Sequence, residues 1–110
     1  MKDRFFKYIH ELQDTITSKL EAIDGFAVFG EDIWKRPEGG GGRTRIIENG
    51  RVFEKGGVNV SGVYGKLPAS MQSYFKVKDV DFFACGLSLV LHPKNPMAPT
   101  VHANWRYLEM

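Results

Sequence analysis

The chain has 110 residues, 43% of them hydrophobic and 25% charged, and 15 Lys+Arg against 13 Asp+Glu leave a net charge of +2. That length admits one domain with one core, and the composition excludes a disordered or collagen-like chain. No apolar run is long enough for a membrane helix, and the scattered basic residues lack the dense stripe of a nucleic-acid binder.

Cys85 is the single cysteine, so no intrachain disulfide can form, and its apolar setting reads as a small buried hydrophobe in a reducing compartment. Met1-Lys2-Asp3-Arg4 opens without a signal-peptide core, so the chain as given is expected to be cytoplasmic. Phe5, Ile9, Leu12, Ile16, Leu20 and Ile23 recur at spacings of three and four. They predict a helix over about residues 3–23, N-capped by Asp3 and closed by Gly25. His10 falls off this stripe and reads as a solvated helix residue.

The period then changes. Phe26-Ala27-Val28-Phe29 and Asp32-Ile33-Trp34 suggest a short strand broken at Gly30. Thr44 to Glu48 and Arg51 to Lys55 flank Asn49-Gly50, a pair suited to a two-residue hairpin turn. Val58 to Tyr64 alternates as a strand, and residues 65–80 are ambiguous, with Leu67-Pro68 arguing for a turn. Leu87 to His92 and Thr100 to Glu109 read as two more strands. One helix followed by a run of strands predicts an α+β fold with an antiparallel sheet, and no linker divides residues 1–110. A lone helix cannot cover both faces of such a sheet, so a partner chain or more of a longer protein is expected against the bare face or edge.

Three segments carry candidate chemistry. In the last strand Val101, Ala103, Trp105 and Tyr107 fall on one face, and Thr100, His102, Asn104 and Arg106 on the other. On that second face Arg106 can grip a carboxylate with two N–H groups, Asn104 can add a hydrogen bond, and His102 can move a proton near neutral pH. A merely solvated strand face is the competing explanation. In the preceding strand Ser88, Val90 and His92 share a face, and if it is the same face the two strands frame one polar recess. His92 and His102 could instead share a metal. Proline at 93, 96 and 99 favours an extended path between the strands, which also admits an adaptor-ligand reading. Arg36-Pro37-Glu38 followed by four glycines and Arg43-Thr44-Arg45 is a flexible loop by default. The sharper alternative is a mobile flap whose amides and flanking arginines close on an anion.

Together these segments resemble the oxygen-dependent coproporphyrinogen oxidase family. Ile33 to Arg45 is similar to its glycine-rich signature, Val52 to Ser61 to the next, and Leu87 to Glu109 to the third, with His92-Pro93, Asn95-Pro96, Pro99-Thr100, His102, Asn104 and Arg106-Tyr107 inside it. The resemblance covers most of residues 25–109 and implies a large antiparallel sheet flanked by helices in a homodimer. It implies oxidative decarboxylation of two propionates of coproporphyrinogen III to vinyl groups in haem biosynthesis. O₂ is the co-substrate, with no flavin, haem or nicotinamide. By position, Ser88, Asn104, Trp105 and Arg106 match substrate-binding residues, and His102 matches the proposed proton donor. His92 matches a divalent-metal ligand of some bacterial members. Thr44 stands where serine is usual, and Ala103 and Trp105 also depart from the pattern. The family's catalytic domain is longer than this chain, so a fragment with little activity of its own is expected. Arg106 is expected to bind a propionate, and Phe53, Phe82 and Phe83 are candidates for an apolar wall. A non-catalytic tetrapyrrole-binding domain is the rival reading.

Overall fold

The alternating segments become five antiparallel strands, joined in the order in which they occur along the chain. A computed structural model describes residues 1–76 and 80–109. The elements are α1 (Lys2–Asp24), β1 (Gly30–Lys35), β2 (Gly40–Glu48), β3 (Phe53–Lys66), α2 (Ala69–Phe75), β4 (Asp81–Pro93) and β5 (Val101–Glu109). The sheet order is β1-β2-β3-β4-β5, a meander in which every neighbour is antiparallel. This is the expected α+β arrangement. The short helix α2 forms within the stretch 65–80 that had no clear pattern, of which residues 77–79 lie outside the described residues.

Period-two alternation sorts the strands into two faces. Val58, Val60, Leu87, Leu89 and Leu91 turn to the back face, where none is more than 8% exposed. Helix α1 packs there, supplying Ile9 to the core and half-burying Phe5, Phe6, Leu12, Ile16 and Leu20. Burial of a side chain such as Ile9 contributes about 2–3 kcal/mol. Phe6 lies over Gly62, where a Cβ would stand 2.5 Å from the ring, and Phe5 meets Tyr107 at 5.7 Å between centroids.

The centre line of α1 is polar, which its apolar stripe does not announce. Ile9, Gln13, Thr17 and Asp24 are the buried helix residues, whereas Ile23 is 61% exposed and drops out of the expected stripe. Gln13 Nε2 donates to the carbonyl oxygens of Arg43 (2.8 Å) and Val58 (2.9 Å), and its Oε1 accepts from Arg43 Nε (2.6 Å). Arg45 Nη1 donates to the Thr17 hydroxyl at 3.0 Å. Asp14 and Glu31 complete the cluster, with Asp14 2.8 Å from Arg45 and 3.0 Å from Arg43, and Glu31 2.9 Å from Arg45. His10 is half-buried rather than solvated, its ring 4.6 Å from that of Phe6. The N-cap is Met1, and Asp3 sits in the first turn, where its charge opposes the helix dipole; Gly25 ends the helix at φ 73° as expected.

Three further local expectations are overturned. Residues 26–29 are not a strand; β1 starts at Gly30. The Asn49-Gly50 pair does not make the reversal, because Glu48 pairs with Lys55 and the turn falls at Arg51-Val52. Asp24 causes the shift: its carboxylate accepts the N–H groups of Arg51 (3.1 Å), Val52 (3.0 Å) and Phe53 (3.0 Å), along with that of Ala27 (2.9 Å). A Cβ on Gly50 would collide with the same carboxylate. Finally, the proline segment is folded rather than extended. Asn95 closes a turn through Ala98 N–H (3.0 Å) and caps Met97 N–H with its own side chain (2.9 Å). An ordered turn between two paired strands removes the adaptor-ligand reading.

Candidate functional site

The expected mobile glycine flap does not exist. Gly40, Gly41 and Gly42 belong to β2 and pair with β1 on one side and β3 on the other, apart from Gly40, which pairs with β3 alone. Glycine is needed there because backbones and rings press close: a Cβ on Gly40 would strike the Gly62 carbonyl, and one on Gly42 the Trp34 ring. The flanking arginines are occupied as well. Arg36 Nη1 donates to the carbonyls of Gly39 (3.1 Å) and Tyr64 (3.0 Å), while Arg43 and Arg45 face α1 on the back of the sheet.

The other side of the sheet is bare among the described residues, and the register lays it out. One row runs straight across all five strands as Asp32, Thr44, Asn59, Ser88 and Asn104. Strands about 4.8 Å apart make that row roughly 19 Å long. The next row is Trp34, Gly42, Ser61, Gly86 and Arg106. The third is Gly30, Ile46, Gly57, Val90 and His102, and His92 lies beyond it opposite Lys55. Ser88 and His92 therefore share the face of His102, Asn104 and Arg106, a relation between the two strands that alternation within each of them leaves open.

The second row is low in its middle. Gly42 and Gly86 have no side chain and Ser61 a short one, whereas Trp34 lies across Gly42 and the Arg106 stem rests on Gly86, its Cγ 3.1 Å from where a Cβ would sit. The result is a smooth floor with an indole at one end and a guanidinium at the other. Arg106, Asn104, His102 and His92 are exposed, Ser88 is half-buried, and none of the five has a side-chain hydrogen bond or ion pair among the described residues. Arg36, Arg43 and Arg45, by contrast, are all held by the protein itself. Free donors arrayed around a flat floor suit a broad ligand bearing carboxylates.

Several expectations need correction here. The common recess is a floor without walls: the two concavities of about 800 Å³ lie toward the N-terminal half of α1 and the Gly39–Gly42 segment, and none of Ser88, His92, His102, Asn104 and Arg106 lines them. Trp105 points to the back face opposite Leu87, so its side chain is separated from Asn104 and Arg106 by the sheet. Phe53 is a core residue, and Phe83, opposite Tyr64 and packed with Phe6, is likewise behind the sheet; neither forms a wall beside Arg106. No group of three His, Cys, Asp or Glu side chains that could hold a metal ion occurs among the described residues, so His92 does not by itself make a metal centre. Sequence reasoning also missed Trp34, Thr44 and Asn59 on this face. Their signal was their parity along the strands, unreadable while the hairpin register was wrong.

Fold and face together define an α+β sheet protein with a flat, bare surface rich in hydrogen-bond donors. The chain belongs to the coproporphyrinogen III oxidase family, whose sequence model matches residues 4–110. It is 53% identical over 116 residues to the oxygen-dependent coproporphyrinogen-III oxidase, chloroplastic, of Glycine max, covering 99% of this chain and 30% of that protein. The oxygen-dependent coproporphyrinogen-III oxidase of Prochlorococcus marinus (strain NATL1A) is 54% identical over 105 residues, covering 94% of this chain and 30% of the relative. Coproporphyrinogen-III oxidase 1, chloroplastic, of Arabidopsis thaliana is 49% identical over 116 residues, covering 99% and 30%. The chain thus spans about 30% of the length of the curated relatives it matches. No described helix is long and apolar enough to cross a membrane.

Proposed function

We propose that this chain supplies the substrate floor of an oxygen-dependent coproporphyrinogen III oxidase of haem biosynthesis. In that reaction each of two propionates, R–CH₂–CH₂–COO⁻, becomes R–CH=CH₂ and CO₂. One proton is consumed per vinyl group, and two electrons and the departing hydrogen pass to O₂, so the balance needs no organic cofactor. The single observation that carries the reading is the partner-free set Ser88, His102, Asn104 and Arg106 on adjacent strands of the bare face, in a chain of this family. Arg106 binds a propionate carboxylate through its planar fork, Asn104 and Ser88 add donors, and His102 supplies a proton. His92 is given no step, because any divalent ion held there would need ligands from outside the described residues. The homodimer belongs to the same proposal. So does a cytoplasmic location, although the Glycine max relative carries the word chloroplastic in its name.

The test is a chimaera in which residues 4–110 replace the matched region of the Glycine max relative, assayed for vinyl product with and without O₂. Arg106→Lys should lower kcat/KM by about tenfold or more, since losing a two-pronged charged pair costs on the order of 1.5–3 kcal/mol. A value within about threefold of the parent would refute the role of Arg106. Ring binding without O₂-dependent turnover would favour the non-catalytic reading.

A further inference from the structure

Asn59 lies next to Ser88 in the row that continues to Asn104, and its side chain is held in one orientation from the opposite direction. Trp34 Nε1 donates to the Thr44 hydroxyl at 3.0 Å, and that hydroxyl donates to Asn59 Oδ1 at 2.6 Å. The indole N–H is only a donor, so it commits the Thr44 oxygen as acceptor and directs the hydroxyl hydrogen to Asn59. Asn59 Oδ1 is thereby used, and its NH₂ group has no partner among the described residues. Trp34 is fixed in turn by lying over Gly42, the one position in the row beside it where a side chain would displace the ring. A relay of three residues on three strands therefore presents an amide donor to the bare face beside Ser88.

We propose that Asn59 is a further substrate-contacting residue, donating its Nδ2–H to a ring carboxylate, with Thr44 and Trp34 as positioning residues that set its orientation. The assignment rests on the reading of this face as a porphyrinogen floor and adds one donor, on β3, to those on β4 and β5. It also gives a physical role to Thr44: either Ser or Thr can accept from the indole and donate to Asn59, whereas an apolar residue can do neither.

The test uses the chimaera described above, titrated with oxidised coproporphyrin III and with its tetramethyl ester and read by the change in porphyrin absorbance. Asn59→Asp keeps the acceptor that Thr44 needs but replaces the NH₂ group by a negative oxygen. Binding of the four-acid ring should weaken about tenfold to a hundredfold, and binding of the ester less than about twofold. Thr44→Val, which frees the amide to flip, should weaken acid binding by a few fold, and Thr44→Ser should restore it. Far-UV dichroism and thermal melting confirm that each variant is folded. Equal losses for acid and ester, or an Asn59→Asp affinity within about twofold of the parent for the acid, would overturn the Asn59 assignment alone. If the parent chimaera bound neither ring, the porphyrinogen floor and the assignment would both fall.

Discussion

Replacing Gln13 by leucine isolates the polar centre line of α1. Gln13 is fully buried and makes three hydrogen bonds, two to strand carbonyls and one to the Arg43 guanidinium. Losing two neutral bonds costs about 1 kcal/mol each and losing the charged one about 1.5–3 kcal/mol. Leucine returns about 1–2 kcal/mol by burying apolar surface in the same space. The Arg43 side chain is 22% exposed, so water relieves part of its loss. The net expectation is a destabilisation of about 2–4 kcal/mol, read as a urea midpoint lowered by about 1–2 M at unchanged slope. Arg43→Met made alone and together with Gln13→Leu completes a cycle, and the pair should be non-additive by at least about 1 kcal/mol. A loss below about 1 kcal/mol, or simple additivity, would show that the carbonyls and the guanidinium find equivalent partners without Gln13.

Asp24 gives a pH-dependent counterpart. Hydrogen bonds from the backbone of Ala27 first, then Phe53, Val52 and Arg51, hold its carboxyl well below the usual carboxylate range. A depressed folded-state pKa contributes stability that is fully present above the unfolded value of about 3.9 and lost as pH falls below it. Asp24→Asn should therefore be less stable at neutral pH and show a flatter acid-unfolding profile below about pH 4; a profile parallel to the parent's would contradict this. Burial pushes the Cys85 thiol up, and the residue is 3% exposed, so Ellman's reagent should label it only at the rate of unfolding. Rapid labelling of the folded chain would contradict that packing. Gly42→Ala should destabilise by about 1–3 kcal/mol and shift Trp34 emission, because its Cβ also meets the Val60 carbonyl oxygen at 2.5 Å. Gly57→Ala on the same face, where the nearest atom is 4.0 Å away, should be neutral or stabilising by about 0.5 kcal/mol in the same denaturation assay.

What could be read from the sequence was what depends on local periodicity. The spacing of apolar residues finds α1, and alternation groups Ser88 with His92 along β4 and His102 with Asn104 and Arg106 along β5, because a strand fixes facing residue by residue. Facing across strands is different, since it depends on where the chain turns. A two-residue turn at Asn49-Gly50 would set Thr44 opposite Lys55, whereas the actual partner is Asn59. That shift hides the Trp34–Thr44–Asn59 relay. Its cause is Asp24, about 27 residues earlier in the chain, and no window around the turn contains it. The glycine run misled for a related reason: four glycines signal freedom locally, but here Gly40–Gly42 are required by the close approach of Gly62, Trp34 and Val60 from other strands. Gln13 and Thr17 look like surface residues on a helical wheel until the arginines of β2 come to meet them.

The convergence of Ala27, Arg51, Val52 and Phe53 on one carboxylate also orders events during folding. The tip of the β2–β3 ribbon closes with its own backbone bonds, but the N–H groups of Arg51, Val52 and Phe53 find their carboxylate acceptor only when the end of α1 arrives. Hairpin formation is thereby coupled to helix docking, and a contact spanning nearly a quarter of the chain becomes a condition for an otherwise nearest-neighbour topology. Refolding should slow in acid more steeply than a simple meander would, since a protonated Asp24 reaches the tip as a weaker acceptor.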